Sequence, residues 1–234
     1  MRKISVIVPA LDEEEGIQAC LQSALEARGA LPLEVLLVDG GSRDATVVRA
    51  SEVPGVAVVR SMRGRARQLN AGAAAASGDV LVFLHADSRL QRGALAALER
   101  TAERSPESPG GAFRMRLDGQ GPGLRIVEAL SHARLRALSV ACGDQAIWVR
   151  RTAFDSLGGF PVQPLMEDVA FTRTLSKLGP LAIVEDPPVI SSARRFTEDG
   201  VIRRTLSNWM ISFAWAIGAD AAYLKRFYPD HTEA

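Results

Sequence analysis

Acids at the ends of apolar runs are the residues of this chain best placed to do chemistry. Val80 to Leu84, inside Gly78–Ser88 (GDVLVFLHADS), is apolar throughout and reads as a strand buried on both faces of a parallel sheet. Asp87 follows at its carboxyl end, where open α/β sheets hold their ligands, so a metal-bound diphosphate could sit against it. Two more strand ends carry acids, VPALDEEEG from Val8 and LVDGGSRDAT from Leu37. A doubly wound strand order brings Pro9–Glu13, Asp39–Asp44 and Asp87 to one crevice. Asp39 alone reads equally well as the cap of its own turn, and Gly40-Gly41 behind it lets the backbone approach a ligand closely.

The pair Glu167-Asp168 opens a helix after Gly158-Gly159-Phe160-Pro161 and Pro164. The positive helix end is expected to keep both acids ionised. A carboxylate there can take the proton of an attacking hydroxyl, typically a gain of about 10²–10⁴-fold; the same position suits a plain helix cap. Asp144, before Trp148, either orients a substrate or caps a turn. Cys142 reads as a small buried side chain, since no histidine partner activates it. Arg194 and Arg195, with Ser191 and Ser192, form either a diphosphate clamp on a closing loop or a structural ion pair. Arg134 and Arg136 read as a solvated helix face.

The elements that must position these groups alternate. Ile4–Val8 is a strand and Glu14–Ala27 a helix with Ile17, Leu21, Ala24 and Leu25 on one face. Leu33–Val38 is a strand, Asp44–Ser51 a helix, Val56–Val59 a strand, and Arg65–Ala76 an alanine-rich helix leading to Val80. Such βαβ repetition implies parallel strands and right-handed crossovers. Breakers at Arg104–Gly111 and Asp118–Gly123 bracket a candidate strand, Ala112–Leu117. A helix over Leu124–Val140, a strand over Gln145–Val149, a helix over Glu167–Lys177 and a helical tail from Asp199 follow. We read one domain: a nucleotide-binding half to residue 110, an acceptor-binding half over 111–198, and a tail over 199–234.

Composition narrows the function classes. With 234 residues, 47% hydrophobic, 24% charged and a net charge of +1, the chain suits one globular domain. It has no dense basic run interleaved with aromatics, which argues against a nucleic-acid partner. Two scattered cysteines make neither a disulfide framework nor a zinc site and fit a reducing cytoplasm. The first apolar run meets Asp12–Glu15 too soon for a secretion signal. The longest apolar window, Trp209–Leu224, is broken by Asp220 and falls short of a membrane span. A cytoplasmic protein is expected. Neither G-x-G-x-x-G after the first strand nor G-x-x-x-x-G-K-[ST] occurs, so dinucleotide and P-loop readings lose their main support.

In order along the chain, PALDEEEG, VDGGSRDAT, GRARQLNAGAAAASGDVLVFLHADS, GDQAIWVRR and MEDVAFTRTL resemble the family 2 glycosyltransferases of the GT-A fold. More narrowly, LGGFPVQPLMED followed by SSARRF resembles the subgroup described as radical-SAM/selenodomain-associated transferase 2. The resemblance implies an α/β GT-A fold with a mostly parallel central sheet flanked by helices. It implies a nucleotide-diphosphate sugar donor, UDP-linked first and GDP-linked second, an inverting transfer to an acceptor hydroxyl, and a divalent Mn²⁺ or Mg²⁺ ion. By the same likeness Pro9, Leu11 and Glu13 line the nucleoside pocket, Asp39 accepts a hydrogen bond from the base, and Arg65 and Gln68 lie near the diphosphate or sugar. Asp144 and Arg195 complete the donor site, Asp168 is the base, and Glu167 supports it. Asp87 matches the last Asp of the family's D-x-D element and would hold the metal.

The first Asp of that element is His85 here. Imidazole is a softer ligand than carboxylate and suits Mn²⁺ better than Mg²⁺; alternatively His85 bonds ribose or backbone. This departure keeps open a nucleotide-sugar-binding protein without turnover. A sugar-phosphate nucleotidyltransferase is the other rival, but its glycine-rich basic loop is replaced here by the acidic PALDEEEG. In the tail, Trp209, Met210, Phe213, Trp215, Tyr223, Phe227 and Tyr228 accompany Lys225 and Arg226. That composition suits a helix in a membrane interface, matching a lipid-like acceptor, or a terminal helix docked on the core or on a second subunit as a homodimer.

Overall fold

β1 (Ile4–Ala10) is buried at every position in the computed structural model, which describes residues 3–228. α1 (Ile17–Glu26) buries Ile17, Cys20, Leu21 and Ala24, the spacing of one helix face. β2 (Leu33–Asp39), α2 (Thr46–Ser51), β3 (Val56–Arg60), α3 (Arg65–Ala75) and β4 (Val80–Phe83) complete the alternating series. Then come β5 (Ser88–Arg89), α4 (Ala94–Arg104), β6 (Gly110–Leu117), α5 (Pro122–Leu138), a 3₁₀ turn at Gly143–Gln145, β7 (Ile147–Arg150) and α6 (Arg151–Leu157). α7 (Glu167–Leu175), β8 (Ala182–Ser191), α8 (Arg194–Asp199), α9 (Val201–Ala216) and α10 (Ala221–Lys225) end the described chain.

The eight strands form one sheet in the order β3-β2-β1-β4-β7-β6-β8-β5. β1 lies between β2 and β4, parallel to both, so the three acid-bearing tips are neighbours as expected. β2–β3 and β6–β8 are also parallel, whereas β7 runs antiparallel to β4 and β6, and β5 to β8. The result is an α/β fold with a mixed, mostly parallel sheet. β4 therefore has a parallel neighbour on one side only, yet it is covered on both faces. Val80 and Val82 join the apolar cluster under α1 and α4, and Leu81 and Phe83 join the one under α3. In that second cluster Phe83, Phe154, Phe160 and Phe171 pack with ring centroids 4.2–5.9 Å apart.

Several elements depart from expectation for identifiable reasons. α1 begins at Ile17 and α2 at Thr46, later than Glu14 and Asp44. The intervening acids lace two loops together: the amides of Asp12, Glu13 and Glu14 donate to Ser42 Oγ, Thr46 Oγ1 and Asp44 Oδ2. The tips of β1 and β2 are thereby fixed to each other. β8 was not expected, because Pro187 and Pro188 argue against a strand. It pairs with β6 at Ala182–Val184 and again at Val189–Ser191, so the prolines fall in the irregular stretch between. α4, α6, α8 and β5 are likewise additions to the sequence reading.

Two contacts set the site's frame. α3 packs so closely that a Cβ on Gly72 would overlap Ile7 Cγ2, which brings the amino end of α3 to the strand tips. At the end of β7, Arg150 donates to the carbonyls of Ala102 and Ser108 at 2.8 Å, and Arg151 to those of Ala73 and Ala76 at 2.7 and 2.8 Å. Adjacent arginines thus bind the carboxyl ends of α4 and α3. Among the described residues no helix is long and apolar enough to cross a membrane.

Candidate active site

A cavity of about 310 Å³ opens at the carboxyl ends of β1 and β4, within the size range of small-molecule sites. From β1 and its loop come Pro9, Leu11 and Glu13; from the α3 end, Arg63, Arg65 and Gln68; from beyond β4, His85 and Asp87. Glu167 enters from the start of α7, Arg194 and Arg195 from α8, and Lys225 and Tyr228 from the tail. Ten of the residues singled out from the sequence, Pro9, Leu11, Glu13, Arg65, Gln68, His85, Asp87, Glu167, Arg194 and Arg195, therefore line one space. Asp39, Asp144 and Asp168 are not among the lining residues.

Two of the three that stand back, Asp39 and Asp168, have visible partners, as does Gln68 in the wall. Asp39 accepts the backbone N–H of Gly41 at 3.2 Å and of Ser42 at 2.9 Å, so it caps its own turn at the base of the crevice. Gln68 ties β1 to β2 by donating to the carbonyls of Ala10 at 2.8 Å and Val38 at 3.0 Å. Asp168, one residue behind Glu167, accepts the N–H of Gly143 at 2.7 Å through Oδ2 and that of Val169 at 2.7 Å through Oδ1. Each of its oxygens retains a further lone pair. A Cβ on Gly143 would overlap His85 Nε2, so glycine is required for the imidazole and the Asp168 loop to meet.

The electrostatics separate the groups. Burial, and after it the Arg65 guanidinium, lower His85 to about 4, so its ring is neutral at ordinary pH and available as a ligand. Burial and then Asp87 raise Glu13, against the nearby arginines. Glu167 is also raised, by burial first and Asp168 second, although Arg65 Nη1 lies 3.5 Å from its Oε1. At Glu167 desolvation thus works against the helix dipole that was expected to favour its charge, and the Arg65 pair opposes the upward shift. Asp144 is raised to about 6, again by burial first, and its Oδ1 is buried with no hydrogen-bond partner among the described residues.

Arg134 is a correction too. It turns inward instead of into solvent, donating to Gln145 Oε1 at 3.2 Å, and its charge opposes the upward shift of Asp144. Arg136 does stay exposed, paired with Glu185. Cys142 is half-buried, not fully buried as expected, yet desolvation still pushes its thiol up, the opposite of an activated nucleophile. Ser191 lies in β8, its Oγ 3.3 Å from Ser88 Oγ, away from any clamp. Arg63, Lys225 and Tyr228 had not been singled out for the cavity. Arg63 sits in the basic run RGRAR, a usable signal, whereas Lys225 and Tyr228 reach the cavity only because the tail folds back.

Could this donor set hold a divalent cation? Among the described residues no group of three or more His, Cys, Asp or Glu side chains converges as a metal cage. Asp87 and the neutral His85 lie together at the cavity, and Asp87 is close enough to Glu13 to raise it. One or two carboxylates completed by substrate phosphates is the usual way Mg²⁺ is bound, so the residues fit a metal that arrives with a diphosphate.

Comparison with known proteins bears on the family and the fold. The profile described as Glycosyl transferase family 2 matches residues 5–128. Undecaprenyl-phosphate 4-deoxy-4-formamido-L-arabinose transferase of Erwinia tasmaniensis is 31% identical over 161 residues, 64% of this chain and 49% of that protein. The chain spans about half the length of the curated relatives it matches first. Among solved structures, S. aureus TarS 1-349 in complex with UDP superposes with a TM-score of 0.62 at 17% identity, covering 97% of this chain and 69% of that one. Glucosyl-3-phosphoglycerate synthase from Mycobacterium tuberculosis, in complex with Mn²⁺, UDP-glucose and phosphoglyceric acid, superposes with a TM-score of 0.58 at 24% identity, covering 79% and 69%. Both likenesses are to the fold.

Proposed function

The chain belongs to glycosyl transferase family 2, and from that premise we propose that it moves a sugar from a nucleotide-diphosphate donor, taken as a UDP-sugar, to an acceptor hydroxyl with inversion. One observation carries this reading: Asp87 meets Arg63, Arg65, Arg194, Arg195 and Lys225 in a single cavity at the strand tips. That excess of positive charge suits a diphosphate, and charge-assisted bonds from arginine are the strong ones. The UDP and UDP-glucose of the two superposed structures support the choice of nucleotide, and the lipid phosphate in the name of the Erwinia relative supports a lipid-like acceptor.

Pro9 and Leu11 hold the nucleoside, with Asp39 fixing the turn beneath it, and Gln68 keeps the β1 and β2 tips at their spacing. Arg65 and Arg195 neutralise the diphosphate as the bond from the sugar's anomeric carbon to its leaving oxygen breaks. Asp87, with His85 beside it, holds Mn²⁺ or Mg²⁺ when the metal is bound, and such an ion supplies Lewis-acid stabilisation of the leaving group. The acceptor oxygen attacks from the opposite face and its proton passes to Asp168. Glu167 positions Arg65 through their ion pair. Arg134, through its bond to Gln145, braces the turn that carries Gly143 and Asp144.

His85 in place of an acid favours one second reading, a nucleotide-sugar-binding protein without turnover, since a neutral imidazole gives a metal less charge than a carboxylate. UDP release from a UDP-sugar panel with Mn²⁺ separates the two. Turnover lost in Asp87→Ala is the expected result. Tight UDP binding with no release against a broad acceptor panel would favour the binder.

A further inference from the structure

α9 is apolar on two opposite faces, and the fold covers one of them. Inward, Ile211 packs with Leu165 and Leu224, and Ala214 and Trp215 lie against this cluster. Outward, Ile202, Leu206, Trp209, Met210, Phe213 and Ile217 are each 55–78% exposed. At about 100° of turn per residue, these six occupy an arc of about 100°, with Ile211 and Arg204 on the far side. No charged residue falls within the arc, and Arg203 stands at its edge. Scattered exposed apolar side chains are ordinary, but a whole helix face of them marks an interaction surface.

The neighbouring elements extend that surface toward the cavity. Gly123 of α5 meets Val201 of α9, and Ile126 and Leu130, on the same face of α5 as Gly123, are exposed. On α10 and just after it, Tyr223 and Phe227 are exposed and stacked edge to face at 5.3 Å. Lys225 and Tyr228, interleaved with them, line the cavity. One short segment thus has an outward aromatic pair and an inward wall of the site.

We propose that this face seats the protein on an anionic lipid bilayer, with α9 lying in the interface and the cavity opening beside the headgroups. Beside this face stand two exposed basic side chains, Arg203 and Arg226, against one exposed acid, Asp220, whereas Arg204 is buried and paired with Asp199. A second copy of the chain would set that basic rim against itself, whereas anionic headgroups complement it. Trp, Tyr, Phe and Met beside Arg and Lys are the side chains of interfacial helices. α9, at sixteen residues, spans about 24 Å and is too short to cross the hydrocarbon layer, so it lies flat.

The inference goes beyond the sugar-transfer reading and is tested without any donor. The full chain is mixed with vesicles of phosphatidylcholine alone and of phosphatidylcholine with phosphatidylglycerol, and bound protein is measured by co-sedimentation. Binding to the anionic vesicles is expected, and the double variant Trp209→Glu/Phe213→Glu is expected to weaken it by at least about tenfold with an unchanged thermal midpoint. Arg203→Glu/Arg226→Glu is expected to lower binding to the anionic vesicles more than to the neutral ones. The proposal is overturned if neither vesicle binds the wild type. It is equally overturned if light scattering finds a dimer that Trp209→Glu/Phe213→Glu splits. Vesicle binding with no UDP release would leave this inference standing and remove the catalytic one.

Discussion

The two ends of the parallel strands β1, β2 and β4 treat their carboxylates in opposite ways. At the amino end Glu34 accepts from Ser5 Oγ at 2.6 Å, the Ser77 amide at 2.9 Å and Lys3 Nζ at 3.1 Å. Partial burial works against its charge, but these hydrogen bonds prevail and hold it at about 2. At the carboxyl end Asp44, in the loop lacing, is likewise held low by its hydrogen bonds, but for Glu13, Glu167 and Asp144 burial outweighs the nearby arginines and all three are raised. A carboxylate satisfied by hydrogen bonds steadies a fold, whereas carboxylates raised by burial at and beside one cavity mark a place where a ligand completes the electrostatics.

Substitutions at the two ends are therefore expected to differ in kind. The largest effect is on Asp168→Asn, which keeps one of the two accepting oxygens and removes the base. kcat for UDP release with acceptor present is expected to fall by about 10²–10⁴-fold with little change in thermal midpoint. Full activity in that variant would remove Asp168 from the mechanism. Arg65→Ala comes next, with a donor KM raised by about 10–100-fold, because a charge-assisted contact is lost and Glu167 is left without its partner.

Stability against pH sharpens the contrast further. Asp144 ionises near 6 when folded and near 3.8 when unfolded, so its charge costs stability progressively from pH 3.8 to 6 and fully above that. Asp144→Asn is expected to be about 3 kcal/mol more stable than wild type well above pH 6 and equal to it below pH 4, in denaturant titrations. Glu34 has the reverse sign. Its folded value lies below the unfolded 4.5, so its contribution is present above pH 4.5 and disappears as pH falls toward 2. Glu34→Gln is expected to lose about 1–2 kcal/mol at neutral pH with unchanged kcat, and to converge on wild type in acid. A common sign for the two variants would end the distinction between the ends.

The amino half was legible in the sequence because its apolar runs and helix faces have regular periods and short connections. The tips of β1 and β4 could be read because a charge beside a buried strand is conspicuous. β8 was hidden by Pro187 and Pro188, which sit in an irregular stretch that only tertiary pairing reveals. α4 is different, since Leu95, Leu98 and Ala102 carry a plain helical period that a reading centred on strand tips passes over. Arg134 was misjudged because its neighbour Leu135 is buried and the 3₁₀ turn supplies acceptors that no local pattern announces. Lys225 and Tyr228 depend on the tail folding back, a long-range event with no local signature.

Arg150 and Arg151 have one more consequence. They diverge from the end of β7 to the last turns of α4 and α3, and every bond they make there ends on a backbone carbonyl. Guanidinium stays charged and carbonyls do not titrate, so acid that disarms the carboxylates leaves this fastening whole. Opening of β7 would release both helix ends together. The amide hydrogens in the last turns of α3 and α4, far apart in the sequence, are expected to exchange with solvent at one common rate, as a single cooperative unit.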